Sequence, residues 1–198
     1  MTAKAMIQQA LPGFYAQPTR ALSLTQPYAW AVAQGIKSIE NRTWWSMIRG
    51  PIWIASSQQV RWAYYREARD LIERVSGVQV PRLDDLPCGY IVGRASIVDC
   101  ILPGGYTVIT TQQAQGARKL YQARLDAAAL GQSVEQLKHP GPRHSLHPHP
   151  FHFLDQYGYV LEDQRPVPKP VPCSGHQRWW DVPAEVLAAL AEQDEAPR

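Results

Sequence analysis

Cysteine is scarce in this chain and poorly placed for cross-linking. Cys88, Cys100 and Cys173 are the three cysteines, odd in number, widely spaced and without a CxxC pair. That pattern excludes a readable disulfide framework. Long apolar runs are also missing: no segment approaches the ~18 consecutive apolar residues of a membrane-spanning helix. The N-terminus lacks the basic stretch and apolar run of a signal peptide, so the expected setting is reducing and cytoplasmic. Several catalytic signatures are absent, namely GxSxG, the P-loop, GxGxxG and HExxH. Ser56, Ser57 and Ser174 have no base at a diagnostic spacing. Charge is thin as well, at 19% of residues against an ordinary share of about 25%.

What remains is enough to fold. The 198 residues are 45% apolar and 10% aromatic, and chains near this length bury roughly 70% of their unfolded surface. The formal net charge is +3, and 15 of the 20 cations are arginine. Arginine's planar fork matches phosphates and base edges and stacks on rings. The run from Glu192 to Arg198 holds three acids, so the remaining body is more basic than the total.

The pattern along the chain predicts several short strands interleaved with helices. Residues 1–19 carry no period and read as an arm. Arg20–Thr25 alternates as a strand with Leu22 and Leu24 on one face. Gln26-Pro27 opens a short helix that Gly35 closes. KSIENR and, after Arg49-Gly50-Pro51, IWIAS read as further strands. A helix is expected over 58–76, with Val60, Tyr64, Leu71, Ile72 and Val75 near helical spacing and Gly77 at its end. CGYIVGRASIVDCI is apolar at both parities, as in a strand covered on both faces or curled into a barrel. Residues 103–150, with a helix over Gln112–Leu130 and then a Pro/His loop, read as an insertion. YGYVLED and a proline-broken piece, Arg165–Val171, follow, the latter as an edge or bulged segment. A helix from Pro183 to about Ala191 ends the fold. The expected domain spans 20–182, with residues 183–198 as a C-terminal helix and frayed acidic tail. The class is α+β.

One stretch is more specific. LSLTQPYAWAVAQGIKSIENRTWW followed by RGPIWIASS resembles the ASCH domain family, through Gln26, Pro27, Gly35, Lys37, Glu40, Arg42, Arg49, Gly50 and Pro51. PCGYIVGRASIVDC is similar to a later barrel strand of that family, and Gly175, Gln177 and Trp180 match its closing Gly-x-Gln-x-x-Trp. The resemblance covers about 20–101 and 150–182. It implies a small mixed PUA-like β-barrel with flanking helices, related to modules that bind RNA or modified bases in a cleft. It also implies two possible activities: hydrolysis of acylated cytidine by a Lys and a Thr three residues on, or single-strand ribonuclease action. Lys37 matches that Lys, but the Thr position holds Glu40, which departs from the amidohydrolase pattern.

Glu40, Arg42 and Ser38 share one face of an extended strand, with Lys37 at the helix–strand junction. These groups either supply two cations and an acceptor to a ligand, or form an ion pair that locks strand to helix. The expected ligand- or RNA-contacting set is Gln26, Lys37, Glu40, Arg42, Trp44, Arg49 and Ser56, with Lys37 the catalytic candidate if the domain is an enzyme. Trp44 and Trp45, adjacent on an extended chain, point to opposite sides, one into the core and one outward, the latter either a packing or interface residue or a base platform. Trp30, Trp53, Trp62 and Tyr159 fall on apolar faces and are expected in the core. His139, His144, His147, His149 and His152 suit a divalent metal by type, but interleaved prolines spread them, so no metal or other cofactor is expected. The leading reading is a binder of RNA or modified nucleosides. The alternatives are a ribonuclease or acylcytidine amidohydrolase, and a protein-interaction module that uses the insertion. No membrane partner is expected.

Overall fold

The computed structural model describes residues 18–103, 149–153 and 155–195. Most of the expected arm, nearly all of the 103–150 insertion with its Gln112–Leu130 helix, and the last three residues of the tail lie outside these. Among the described residues there are six strands: β1 (Arg20–Leu24), β2 (Ile39–Arg42), β3 (Gly50–Ser56), β4 (Tyr90–Ile101), β5 (Tyr157–Pro172) and β6 (Trp179–Asp181). The described α-helices are α1 (Tyr28–Ala33), α2 (Trp62–Ser76) and α3 (Ala184–Glu195), with a 3₁₀ turn at Leu83–Asp85. The sheet order is β2-β5-β4-β3-β1-β6. β1 runs parallel to β3, whereas the β1–β6 and β3–β4 pairs are antiparallel. A mixed sheet with flanking helices is the expected α+β class. Among the described residues no helix is long and apolar enough to cross a membrane.

The chain divides into two compact units. One comprises residues 1–40, 47–98 and 160–198, the other 41–46 and 99–159. In the first unit the core follows from burial on both faces of β3, where Ile52, Trp53, Ile54, Ala55 and Ser56 are all buried. An apolar run of this kind suits a central strand. Ala21 lies opposite Trp53, and both join Ala55, Ile91, Trp180, Val186 and Leu190 in one cluster that includes the inner face of α3. The two indoles are anchored by their N–H groups: Trp53 donates to Pro18 O at 2.7 Å and Trp180 to Ser23 Oγ at 3.0 Å. β4 buries Ile91, Val92, Ala95, Ser96 and Ile97 at both parities, as its sequence predicts. Where α1 meets β4 there is no room for a side chain. A Cβ on Gly93 would lie 2.6 Å from Ala33 Cβ and 2.8 Å from Arg165 O.

Two expectations are corrected here. Helix α2 begins at Trp62, not at residue 58, and its buried stripe is Tyr65, Ala68 and Ile72. This shift of start and phase leaves Trp62 57% and Tyr64 42% exposed, so Trp62 is a surface residue. The two C-terminal strand pieces are one continuous strand, β5, whose backbone enters the left-handed region at Asp163 (φ 49°). Prolines 166, 168, 170 and 172 fall on every second residue, so the missing N–H groups all line one edge. The four-residue β2 can flank only part of β5. Its side receives the Leu161 N–H at Ser38 O (2.8 Å), ahead of the prolines.

In the second unit the Asn41 amide clamps the chain at 151–153. Its Nδ2 donates to Phe151 O at 2.7 Å, and its Oδ1 accepts from Phe153 N at 2.9 Å. Trp44 and Trp45 are both half-buried, instead of one in and one out. Trp44 meets Tyr159 edge-on at 5.6 Å and Trp45 meets Tyr157 at 6.0 Å. The backbone bends at Thr43–Trp44, so the simple alternation of an extended chain does not apply. Tyr159 is buried as expected and donates its hydroxyl to Trp44 O at 2.8 Å.

Candidate functional site

The site is set by how α1 stops. Gly35 takes φ 73°, a conformation glycine adopts without Cβ strain. Gly35 N then donates to Val32 O at 3.0 Å and Ile36 N to Ala31 O at 2.9 Å, the paired bonds of a Schellman closure. Lys37 N adds a third bond to Ala31 O at 3.1 Å, fixing the residue that leaves the helix. The Gln164 side chain holds the same corner from β5, its Nε2 lying 2.8 Å from both Val32 O and Lys37 O.

Thus positioned, Lys37 turns inward and is 1% exposed; Glu40 is 4% exposed. The Lys37 ammonium donates to Glu40 Oε2 at 2.6 Å and to the Ile39 carbonyl. It also lies 5.0 Å from the centre of the Tyr28 ring, within cation–π range. Tyr28 is half-buried, and Tyr64 of α2 meets its ring edge-on at 6.0 Å. Burial, reinforced by Tyr64, Glu40 and Glu67, drives the Tyr28 hydroxyl far above its ordinary 10.0. Tyr28 is therefore a neutral donor throughout the physiological range. The cluster grades from exposed Tyr64 through half-buried Tyr28 to a sealed ion pair. Tyr28 and Tyr64 present aromatic surface, while the Lys37 ammonium and the Glu40 carboxylate lie bonded to each other behind them.

The other expected residues are placed as follows. Gln26 is fully buried; its Oε1 accepts from Trp30 N at 3.0 Å and its Nε2 donates to Pro87 O at 2.8 Å. Ser56 is buried, with its Oγ 3.2 Å from both Tyr90 O and Tyr90 N. Arg42 is half-buried and donates to Asn41 O at 3.0 Å, while exposed Arg49 donates to Ile48 O at 2.9 Å. Of the expected set, Lys37 and Glu40 are brought into direct contact. The sequence places Lys37, Glu40 and Arg42 together, as ligand contacts or as an ion pair, and the structure shows the Lys37–Glu40 ion pair at 2.6 Å.

Tyr28 and Gln164 were missed. Tyr28 stands in the Gln-Pro-aromatic motif itself, which was the signal available for it. Gln164 contacts a carbonyl 127 residues away in the chain, and no local pattern announces that. Of the histidine tract, His139, His144 and His147 lie outside the described residues. His149 Nδ1 accepts from Phe151 N at 3.2 Å, and His152 Nε2 lies 2.9 Å from Gln156 O. Among the described residues no three His, Cys, Asp or Glu side chains gather as a metal site would need.

Comparison with known proteins adds the following. A family model for the ASCH domain matches residues 22–140. Activating signal cointegrator 1 of Mus musculus and of Homo sapiens are each 33% identical to this chain over 86 residues. That match covers 40% of this chain and 14% of the length of either relative. Among solved structures, an ASCH protein from Zymomonas mobilis is 13% identical, with a TM-score of 0.41 over 87% of this chain and 93% of that one. Its S128A mutant gives 13%, 0.42, 89% and 98% in the same order.

Proposed function

The chain belongs to the ASCH domain family, and from that premise we propose that it is an RNA- or nucleobase-binding domain whose ligand meets the Tyr28, Lys37 and Glu40 cluster. The observation that carries this reading is the sealed Lys37–Glu40 pair beneath a half-buried tyrosine ring. Burying two charges costs several kcal/mol per ion, and apolar residues of similar volume often stabilise a fold as well or better. A directional use accounts for keeping charge there. A ligand that moves the Tyr28 ring aside meets a carboxylate able to accept from an exocyclic amine, such as the N4 amino group of cytosine, and an ammonium able to donate to a ring nitrogen or carbonyl. A tyrosine face stacks on the base. Arg42 and Arg49 supply guanidinium groups for phosphates.

The test is affinity for a single-stranded RNA dodecamer across a salt series. The Arg42 and Arg49 phosphate contacts contribute about −1.4 to the log–log slope on single strands, and Glu40→Gln alters base preference by ~1–3 kcal/mol. A salt-independent dodecamer affinity, or no binding of either the dodecamer or a free nucleoside at low salt, contradicts the reading.

A hydrolytic reading draws on the same pair, because an amine and a carboxylate at 2.6 Å are at proton-transfer distance. Incubation with single-stranded RNA and with an N4-acylated cytidine separates the two. A binding domain returns both intact, whereas an enzyme consumes one of them and loses turnover in Lys37→Met.

A further inference from the structure

A second aromatic feature lies on the other flank of α2. Trp62 is 57% exposed, yet its ring is not loose: it stacks on Tyr65 at 5.3 Å with 20° between the planes. Tyr65 is 1% exposed and ties its hydroxyl to the Pro81 carbonyl. One indole face is thus backed by a fixed ring while much of the side chain remains in water. Trp62 and Arg66, four residues apart, are neighbours on the helix surface, whereas Tyr64 is turned well away from Trp62. Arg61 immediately precedes the helix.

Charge around the stacked pair is mixed, since Arg69 and Arg82 as well as Glu73 and Asp85 act on Tyr65, but the acids are partly taken up. Arg69, one turn further on, is taken up by Asp70 at 2.8 Å and Glu73 at 4.0 Å. Arg61 and Arg66 are exposed and make no ion pair among the described residues. An apolar partner would leave these two guanidinium groups desolvated and unpaired, at high cost. A single nucleic-acid strand suits both features, because every base has a face to stack and every nucleotide carries a phosphate.

We propose that Trp62, Arg61 and Arg66 form a stacking platform for single-stranded nucleic acid, separate from the Tyr28–Lys37–Glu40 cluster. One base lies on the indole and adjacent phosphates meet the two arginines. Because Tyr65 already orients the ring, little side-chain freedom is lost on binding. The proposal rests on reading the chain as an RNA binder, but not on where a base is recognised.

The experiment compares wild type, Trp62→Ala, Trp62→Phe and Arg61→Ala/Arg66→Ala for binding a single-stranded RNA dodecamer and, separately, a panel of free nucleosides. Circular dichroism confirms that each variant folds. Trp62→Ala is expected to weaken dodecamer binding roughly tenfold, Trp62→Phe to restore most of it, and no variant to change nucleoside affinity. The double arginine variant is expected to make the salt slope shallower by about 1.4. Dodecamer binding unchanged in Trp62→Ala overturns the platform and leaves the Lys37 reading standing. A wild type that binds no dodecamer at low salt overturns the platform too, and the nucleoside panel then judges the Lys37 site alone. A Trp62→Ala variant that instead breaks a wild-type dimer in sedimentation makes this face a self-association surface, which also overturns the proposal.

Discussion

The Lys37 ammonium sits 2.6 Å from the Glu40 carboxylate, and neither side chain is more than 6% exposed. Spacing of i,i+3 across a helix-to-strand junction would ordinarily leave such a pair in water. Here the Schellman turn at Gly35 points Lys37 inward, and Ile39 O and Tyr28 close around it.

Breaking this pair on one side strands a buried charge. Glu40→Leu and Lys37→Met are each expected to lower unfolding free energy by ~3–5 kcal/mol, while Lys37→Met with Glu40→Leu costs far less than the sum. Urea denaturation of the four proteins measures the coupling. Single variants that each cost under ~1 kcal/mol, the usual worth of surface pairs, would show that the pair is solvated.

Tyr28 gives a pH signature. Its folded-state pKa is raised above the ordinary 10.0, first by desolvation and then by Tyr64, Glu40 and Glu67. Below pH 10 the phenol is neutral in both folded and unfolded chains, so its contribution is constant. Above pH 10 the unfolded chain ionises first, and stability falls as pH rises toward the folded value. Tyr28→Phe is expected to flatten that alkaline loss, as read by thermal melts from pH 8 to 11. An equally steep loss in the variant would assign it to other groups.

Gly93 marks where α1 lies against β4. Gly93→Ala puts a methyl 2.6 Å from Ala33 Cβ and 2.8 Å from a backbone oxygen, and at least one of these is not a flexible side-chain end. Overpacking of this kind costs about 1–3 kcal/mol or more. The melting temperature should drop clearly, and an unchanged one would mean that α1 and β4 stand further apart.

How far the sequence disclosed this site depends on the range of the interaction involved. The Gly35 closure, the Lys37–Glu40 spacing and the run of β3 are local, and each is written in adjacent residues. The inward turn of Lys37 depends on bonds from Ala31 and from Gln164, and the latter belongs to a distant strand. Trp62 was misplaced because its apolarity invited a core reading, while the true helix start at residue 62 puts it beside the buried stripe of Tyr65, Ala68 and Ile72. The pair Trp44 and Trp45 misled for a related reason: alternation holds for extended chain, and the backbone bends there.

Gln164 therefore has a measurable role despite its distance in sequence. Gln164→Leu removes the donor that serves Val32 O and Lys37 O. Both carbonyls lose this donor, Val32 O keeping the Gly35 N–H, and the expected loss is ~1–3 kcal/mol. Hydrogen exchange of the amides over 35–40 should accelerate together with the fall in stability. Protection that stays at the wild-type level would show that the corner is held without Gln164.

The most direct test of the account is to map the ligand on the folded chain. Wild-type protein with ¹⁵N labelling is titrated at low salt with a single-stranded RNA dodecamer and with a panel of nucleosides, and amide shifts are followed. Nucleosides are expected to move Tyr28, Lys37, Glu40 and Tyr64 most, and the dodecamer to move these and more. Shifts that leave those four residues still while saturating elsewhere, or no shifts with any ligand, would contradict this.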